Sequence, residues 1–167
     1  MSSPRRALRA QRKIITSRTN LARLIRRAQS AHRTVVFTNG CFDLLHAGHV
    51  KLLEQAKQRG DVLVVAINSD RSVRMLKGLG RPIVRQRDRA LVLAALECVD
   101  YVTIFNEPTP QQLVARIRPD ILLKGADWGL RQIVGRDIVE RNGGRVIRIP
   151  LLKGYSTSRL IARIRHG

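Results

Sequence analysis

The stretch TVVFTNGCFDLLHAGHVKLLEQAKQRGDVLVVAINSD, Thr34 to Asp70, contains a complete strand, helix and strand. Its first seven residues, TVVFTNG (34–40), are rich in β-branched side chains and stop at a glycine, the composition of a short strand. In AGHVKLLEQAKQRG (47–60), Val50, Leu53 and Ala56 fall on one helical stripe, and Gly60 is the expected C-cap. DVLVVAINSD (61–70) is almost wholly apolar, as expected of a parallel strand covered by helices on both faces. Two strands joined by such a helix form a right-handed βαβ crossover.

The same rhythm continues to the end of the chain. A loop rich in Gly and Arg (77–85) leads to a helix over 87–97, the strand YVTIF (101–105), a helix over 110–118 and the strand DILLKG (120–125). A helix over 133–142, the strand RVIRIP (145–150) and a closing helix over 156–165 complete the pattern. Upstream, Leu21, Leu24, Ile25 and Ala28 lie on one face of a helix expected from Asn20 to Gln29. Residues 1–16 read as a flexible basic arm too polar to offset the entropy of ordering it. The expected organisation is an arm (1–16), an N-terminal helix (17–32) and one α/β domain (33–167). The domain is a Rossmann-like, doubly wound parallel sheet of five strands. In such sheets ligands lie beyond the carboxyl ends of the strands, at the point where strand order reverses. That rule singles out Asn39 to His49, Asn68 to Asp70 and Lys124 to Trp128.

Charge narrows the partners. The 167 residues carry 32 Lys and Arg against 12 Asp and Glu, with 26 arginines and six lysines, so anionic ligands are expected. Nucleotides, sugar phosphates and nucleic acid all qualify by charge. With 4% aromatic residues the chain lacks the stacking platform of a single-strand binder, and it has no helix-turn-helix, KH or RRM signature. Cys41 and Cys98 stand far apart without CxxC spacing, which points away from a disulfide framework and a structural zinc site. No apolar stretch has membrane length, so the expectation is a cytoplasmic protein with no membrane partner.

His46 and His49 are three residues apart at the expected start of a helix, with Gly48 between them to let a ligand approach the backbone. Helix N-termini attract phosphate, and two imidazoles add donors there. Zinc would need a third ligand, which no nearby Cys or His supplies, so no protein-held metal is expected. Spacing alone leaves two readings open, phosphate binding and simple helix capping.

Four motifs in order, TNGCFDLLHAGH (38–49), SxxxLKGxGRP (72–82), KGADW (124–128) and GYSTSRLI (154–161), resemble the HxGH nucleotidyltransferase superfamily. Within it the chain is most similar to the heptose-1-phosphate adenylyltransferases, over about residues 33–165. The resemblance implies transfer of AMP from ATP to a sugar 1-phosphate with release of pyrophosphate. His46 and His49 would bind the triphosphate. Asn39, Gly40, Cys41, Phe42 and Gly48 would line the nucleotide pocket. Lys77 would reach the acceptor phosphate or the α-phosphate, unless it is a solvated loop lysine. Arg89 is a further candidate for the nucleotide phosphates. Asp43 would orient its loop or bind the sugar, unless it only caps the helix. Lys124, Gly125 and Asp127 match the family's KGxD segment, where Asp127 would face ligand hydroxyls and Trp128 would wall the pocket or simply pack. Ser156, Thr157 and Ser158 match the signature that holds the β- and γ-phosphates, although a hydroxyl N-cap explains a serine there equally well.

Mg²⁺ is expected with ATP because the triphosphate's charge calls for a cation during transfer. The resemblance also implies a homodimer, and a separate heptose kinase to make the 1-phosphate. Relatives that use CTP carry an arginine before the final signature where this chain has Leu151 and Leu152, which favours adenine. The alternatives are a CTP-dependent enzyme acting on glycerol 3-phosphate or a related polyol phosphate, and a basic nucleic-acid-binding protein.

Overall fold

The computed structural model describes residues 9–166. Five parallel strands, β1 (Val35–Gly40), β2 (Val62–Asn68), β3 (Tyr101–Phe105), β4 (Ile121–Gly125) and β5 (Arg145–Ile149), form one sheet in the order β3-β2-β1-β4-β5. The order reverses between β1 and β4, which sets the crevice over the end of β1. Eight helices connect and flank the strands: α1 (Arg9–Arg12), α2 (Arg18–Ser30), α3 (Ala47–Lys57), α4 (Asp70–Lys77), α5 (Gln86–Ala95), α6 (Gln111–Ile117), α7 (Arg136–Arg141) and α8 (Thr157–His166).

Because side chains alternate along a strand, neighbours on β1 serve opposite layers. Phe37 is fully buried with Leu21 and Ile25 of α2, Leu113 of α6 and Val139 of α7. Val36 is fully buried with Leu53 of α3 and Leu93 of α5 on the other face. Each such side chain contributes roughly 1.5–3 kcal/mol by leaving water. The amino ends of the strands are closed by aspartates: Asp120 accepts from Val35 N at 2.8 Å, Asp61 from Thr34 N at 2.8 Å and Asp100 from Leu63 N at 2.7 Å. Three of the chain's few carboxylates are thus spent at the end of the sheet opposite the crevice.

Three expectations are corrected. The arm assigned to residues 1–16 lies outside the described residues up to position 8. From Arg9 onward it is docked: Ile14 pairs with Val102 beside the edge strand β3, and Lys13 Nζ donates to Leu96 O at 2.9 Å. Ile14 and Ile15 pack on the core, and that apolar gain is what a reading by polarity overlooked. Residues 71–76, to which the sequence pattern gives no element, and Lys77, expected in the loop, belong to α4, which Ser69 caps by accepting from Ser72 N at 3.2 Å. Helix α3 ends at Lys57, and Gly60 is a packing glycine instead of its cap. A Cβ at Gly60 would stand 2.7 Å from Val36 Cγ2 and 2.8 Å from the Thr34 carbonyl oxygen.

No helix among the described residues is long and apolar enough to cross a membrane.

Candidate active site

The crevice is a cleft of about 570 Å³ over the carboxyl ends of β1, β2 and β4. The loop after β1 forms its floor. Phe42 takes a left-handed φ of 48°, which folds its ring back onto Gly40, where an added Cβ would lie 3.1 Å from Cε2. A side chain there would press on the ring. The Phe42 ring is 5.1 Å from the His49 ring and supports it from below.

His46 is the N-cap residue of α3, yet its side chain makes no capping bond. Its ring stacks on His49 instead, with centroids 3.9 Å apart and planes 19° apart. Both Nδ1 atoms are buried without a hydrogen-bond partner. Burial, reinforced by the neighbouring His46, lowers the His49 pKa to about 4, and burial also lowers that of His46. Two neutral rings with uncommitted nitrogens therefore stand at the positive end of a helix. The orphaned nitrogens cost stability in a fold that has no use for them, and this disfavours simple capping. Gly48 lines the cleft as expected, and its missing side chain also serves the protein's own packing. A Cβ there would lie 3.0 Å from His46 Nδ1 and 3.0 Å from Tyr155 Cβ, so the glycine admits the chain's own rings.

The final helix faces the same cleft. Ser156, Thr157 and Ser158 line it at the start of α8. Ser156 Oγ accepts from Arg159 N at 3.1 Å, a true N-cap, and Thr157 Oγ1 donates to Leu44 O at 3.3 Å, tying α8 to the β1 loop. From β4, Lys124 Nζ donates to the Asn39 carbonyl at 2.9 Å and lies 5.3 Å from the centroid of Trp128. Burial pushes the Lys124 pKa down to about 8. Asp127 sits at the rim, its Oδ1 in the space that a Cβ on Gly125 would fill, and Trp128 is 46% exposed as a side wall. Asn39, Gly40, Cys41 and Lys77 complete the expected set along the cleft, with Lys77 exposed at the end of α4.

Two expected ligand residues are engaged by the protein's own groups. Arg89 is 1% exposed and does not reach the cleft. Its guanidinium donates to the carbonyls of Val84, Cys41 and Asn68 and to Asp70 Oδ1, four of its five N–H groups, and is buried away from the cleft surface. Asp43 borders the cleft, but its carboxylate accepts from Ile83 N, Val84 N and Arg81 Nε and is fully buried. Burial alone would raise its pKa; the two backbone N–H groups and Arg81 outweigh burial and hold it below the ordinary carboxylate range. Of the two roles expected for Asp43, orienting a loop is the one its contacts fit. Asn68, which the strand-end rule singles out, lines the cleft at the end of β2. Arg81 and Tyr155 line it too and were given no role from the sequence, although the GRP of the second motif and the GYSTS of the fourth carry them.

Residues 37–163 match the cytidylyltransferase-like family. The chain belongs to that family. Among curated members, the bifunctional protein HldE of Citrifermentans bemidjiense is 53% identical over 144 residues, covering 86% of this chain and 30% of that protein. HldE of Syntrophotalea carbinolica is 55% identical over 132 residues, covering 79% and 27%. The crystal structure of the lipopolysaccharide core biosynthesis protein from Thermoplasma volcanium GSS1 superposes with a TM-score of 0.63 at 27% identity, over 72% of this chain and 99% of that one. The chain spans less than a third of the length of these curated cytidylyltransferase-like relatives.

Proposed function

We propose that the chain transfers AMP from ATP to a heptose 1-phosphate, giving ADP-heptose and pyrophosphate. The observation that carries this reading is the stacked pair His46 and His49, whose Nδ1 atoms lack partners in a cleft that also receives the N-terminus of α8. The resemblance to heptose-1-phosphate adenylyltransferases and the similarity to the HldE proteins support the choice of substrates. An oxygen of the sugar phosphate forms a bond to the α-phosphorus of ATP while the bond to the bridging oxygen breaks, and pyrophosphate leaves with that electron pair. No covalent enzyme intermediate and no net proton transfer are required. The protein's work is positioning and charge stabilisation. His46 and His49 hold the α-phosphate as its oxygens gain charge, and the amides opening α8 with Ser156 and Thr157 hold the departing phosphates. Lys77 meets the incoming phosphate, and Asp127 and Trp128 border the nucleoside.

Members of such nucleotidyltransferase families generally use a divalent metal with the triphosphate. Among the described residues no cluster of three or more His, Cys, Asp or Glu could cage an ion. Asp43 is fully committed and Asp127 stands alone among the carboxylates lining the cleft. That donor set fits Mg²⁺ carried on the phosphate oxygens, with Asp127 the carboxylate of the cleft free to help hold it; the ion would neutralise charge on the leaving pyrophosphate. A cytoplasmic location, where ATP is abundant, agrees with the two free cysteines. Homodimer formation rests on the resemblance and is read by sedimentation velocity.

Pyrophosphate release measured for each nucleoside triphosphate against a panel of sugar and polyol phosphates tests the proposal. Release with ATP and heptose 1-phosphate supports it. Release confined to CTP with glycerol 3-phosphate overturns it.

A further inference from the structure

Arg81 lines the cleft, yet the activity proposed above leaves it without a task. Its side chain is 16% exposed, and Nε donates to the completely buried carboxylate of Asp43. The same carboxylate accepts from Ile83 N at 2.8 Å and Val84 N at 2.9 Å, so both ends of the Arg81 segment are tied to the loop that precedes His46. Nη1 and Nη2 make no hydrogen bond among the described residues and are not buried orphans, which leaves them open to the cleft. A guanidinium held by Nε presents its two terminal nitrogens as a fixed fork, the geometry that matches two oxygens of one phosphate.

The sheet order says which phosphate. Lys124 ends β4, Trp128 follows it, and Leu151 of the segment that leads into α8 stands against Gly125 of β4, whereas Asn68, Lys77 and Arg81 come at or after the end of β2 and Thr109 after β3, on the other side of β1. In-line displacement places the incoming oxygen opposite the leaving pyrophosphate. With pyrophosphate against α8, the acceptor enters from the side of Arg81. Two anions must approach each other there, and Asn68 is engaged with Ser72 Oγ at 2.9 Å, so Lys77 and Arg81 are the cations placed to receive the second one.

We propose that Arg81, aimed by Asp43, binds the phosphate of the acceptor sugar and is a specificity-determining residue for phosphorylated acceptors. Asp43 is a positioning residue that acts through it. The assignment rests on the transfer reaction proposed above. The test is Arg81→Lys, which keeps a cation beside Asp43 and removes the fork. Its KM for heptose 1-phosphate, and the sugar's Kd measured by calorimetry with a non-hydrolysable ATP analogue bound, should rise roughly 10-fold or more. The Kd of the ATP analogue itself should stay within about 2-fold of wild type. Asp43→Asn should raise the same acceptor constants with the analogue's Kd unchanged, a split that general loosening of the fold would not produce. Should either single variant fail to fold, the double variant Asp43→Asn/Arg81→Gln leaves no unpaired carboxylate and should show the same split. Acceptor constants that do not move, or an analogue Kd that weakens in parallel, overturn the assignment. Wild-type turnover separates this failure from failure of the activity: if the wild type prefers another sugar phosphate, the split is read with that acceptor.

Discussion

Replacing Arg89 by Met separates a structural guanidinium from a phosphate ligand. Methionine fills similar volume, but it removes the donors to three main-chain carbonyls, those of Val84, Cys41 and Asn68, and to Asp70 Oδ1. Removing one partner of a buried charge pair costs about 3–5 kcal/mol, because the groups left behind have lost their hydrogen bonds and cannot regain water. Asp70 keeps the Gln86 N–H at 2.8 Å and is partly exposed, which places the expected loss toward the lower end of that range. For a chain of this size about 3 kcal/mol lowers the melting temperature by roughly 6–12 °C. The assay is thermal and urea unfolding of the nucleotide-free protein, alongside calorimetric titration with an ATP analogue. A residue that served the phosphates would show the reverse pattern, an unchanged melting temperature and a large loss of affinity. That pattern would refute the buried-clamp reasoning.

Other perturbations have equally direct readouts. His46→Ala should cut turnover by roughly 100-fold or more while the melting temperature holds, since the ring's Nδ1 has no structural partner; unchanged turnover removes the imidazole from the mechanism. His49, with its pKa lowered to about 4, should make the fold less stable as pH falls from about 6.5 to 4. The unfolded ring takes up a proton across that window and the folded ring resists, a difference of at most about 3 kcal/mol, less where solvent reaches the ring. Urea unfolding at pH 7.5 and 4.5 should show a smaller pH effect in His49→Asn than in wild type, and identical slopes would contradict this. Gly60→Ala should cost about 1–3 kcal/mol, because its Cβ meets Val36 and the Thr34 carbonyl; a neutral substitution would show that the βαβ turn yields.

The alternation of apolar strands with amphipathic helices was legible, and the ends of β1 to β5 fall within a residue or two of the sequence reading, because period and glycine placement are local properties. Helix α4 was not legible: only Ser72 and Val73 are buried on its eight residues, too little for a stripe to register, and its cap Ser69 was absorbed into the expected strand. The histidine pair was visible as spacing, whereas its stacking and orphaned nitrogens depend on how the first turn of α3 meets Phe42 and Tyr155. Arg89 and Asp43 misled for one shared reason. A charged residue near a motif looks the same in sequence whether its partner is a ligand or a set of backbone groups, and for both residues the partners lie on loops distant in the chain.

The most direct measurement is a crystal structure with a non-hydrolysable ATP analogue bound. The account predicts α-phosphate oxygens within about 3 Å of nitrogens on both His46 and His49, and the outer phosphates against the amides that open α8. A triphosphate bound away from these rings, with their Nδ1 atoms still unpartnered, would contradict it.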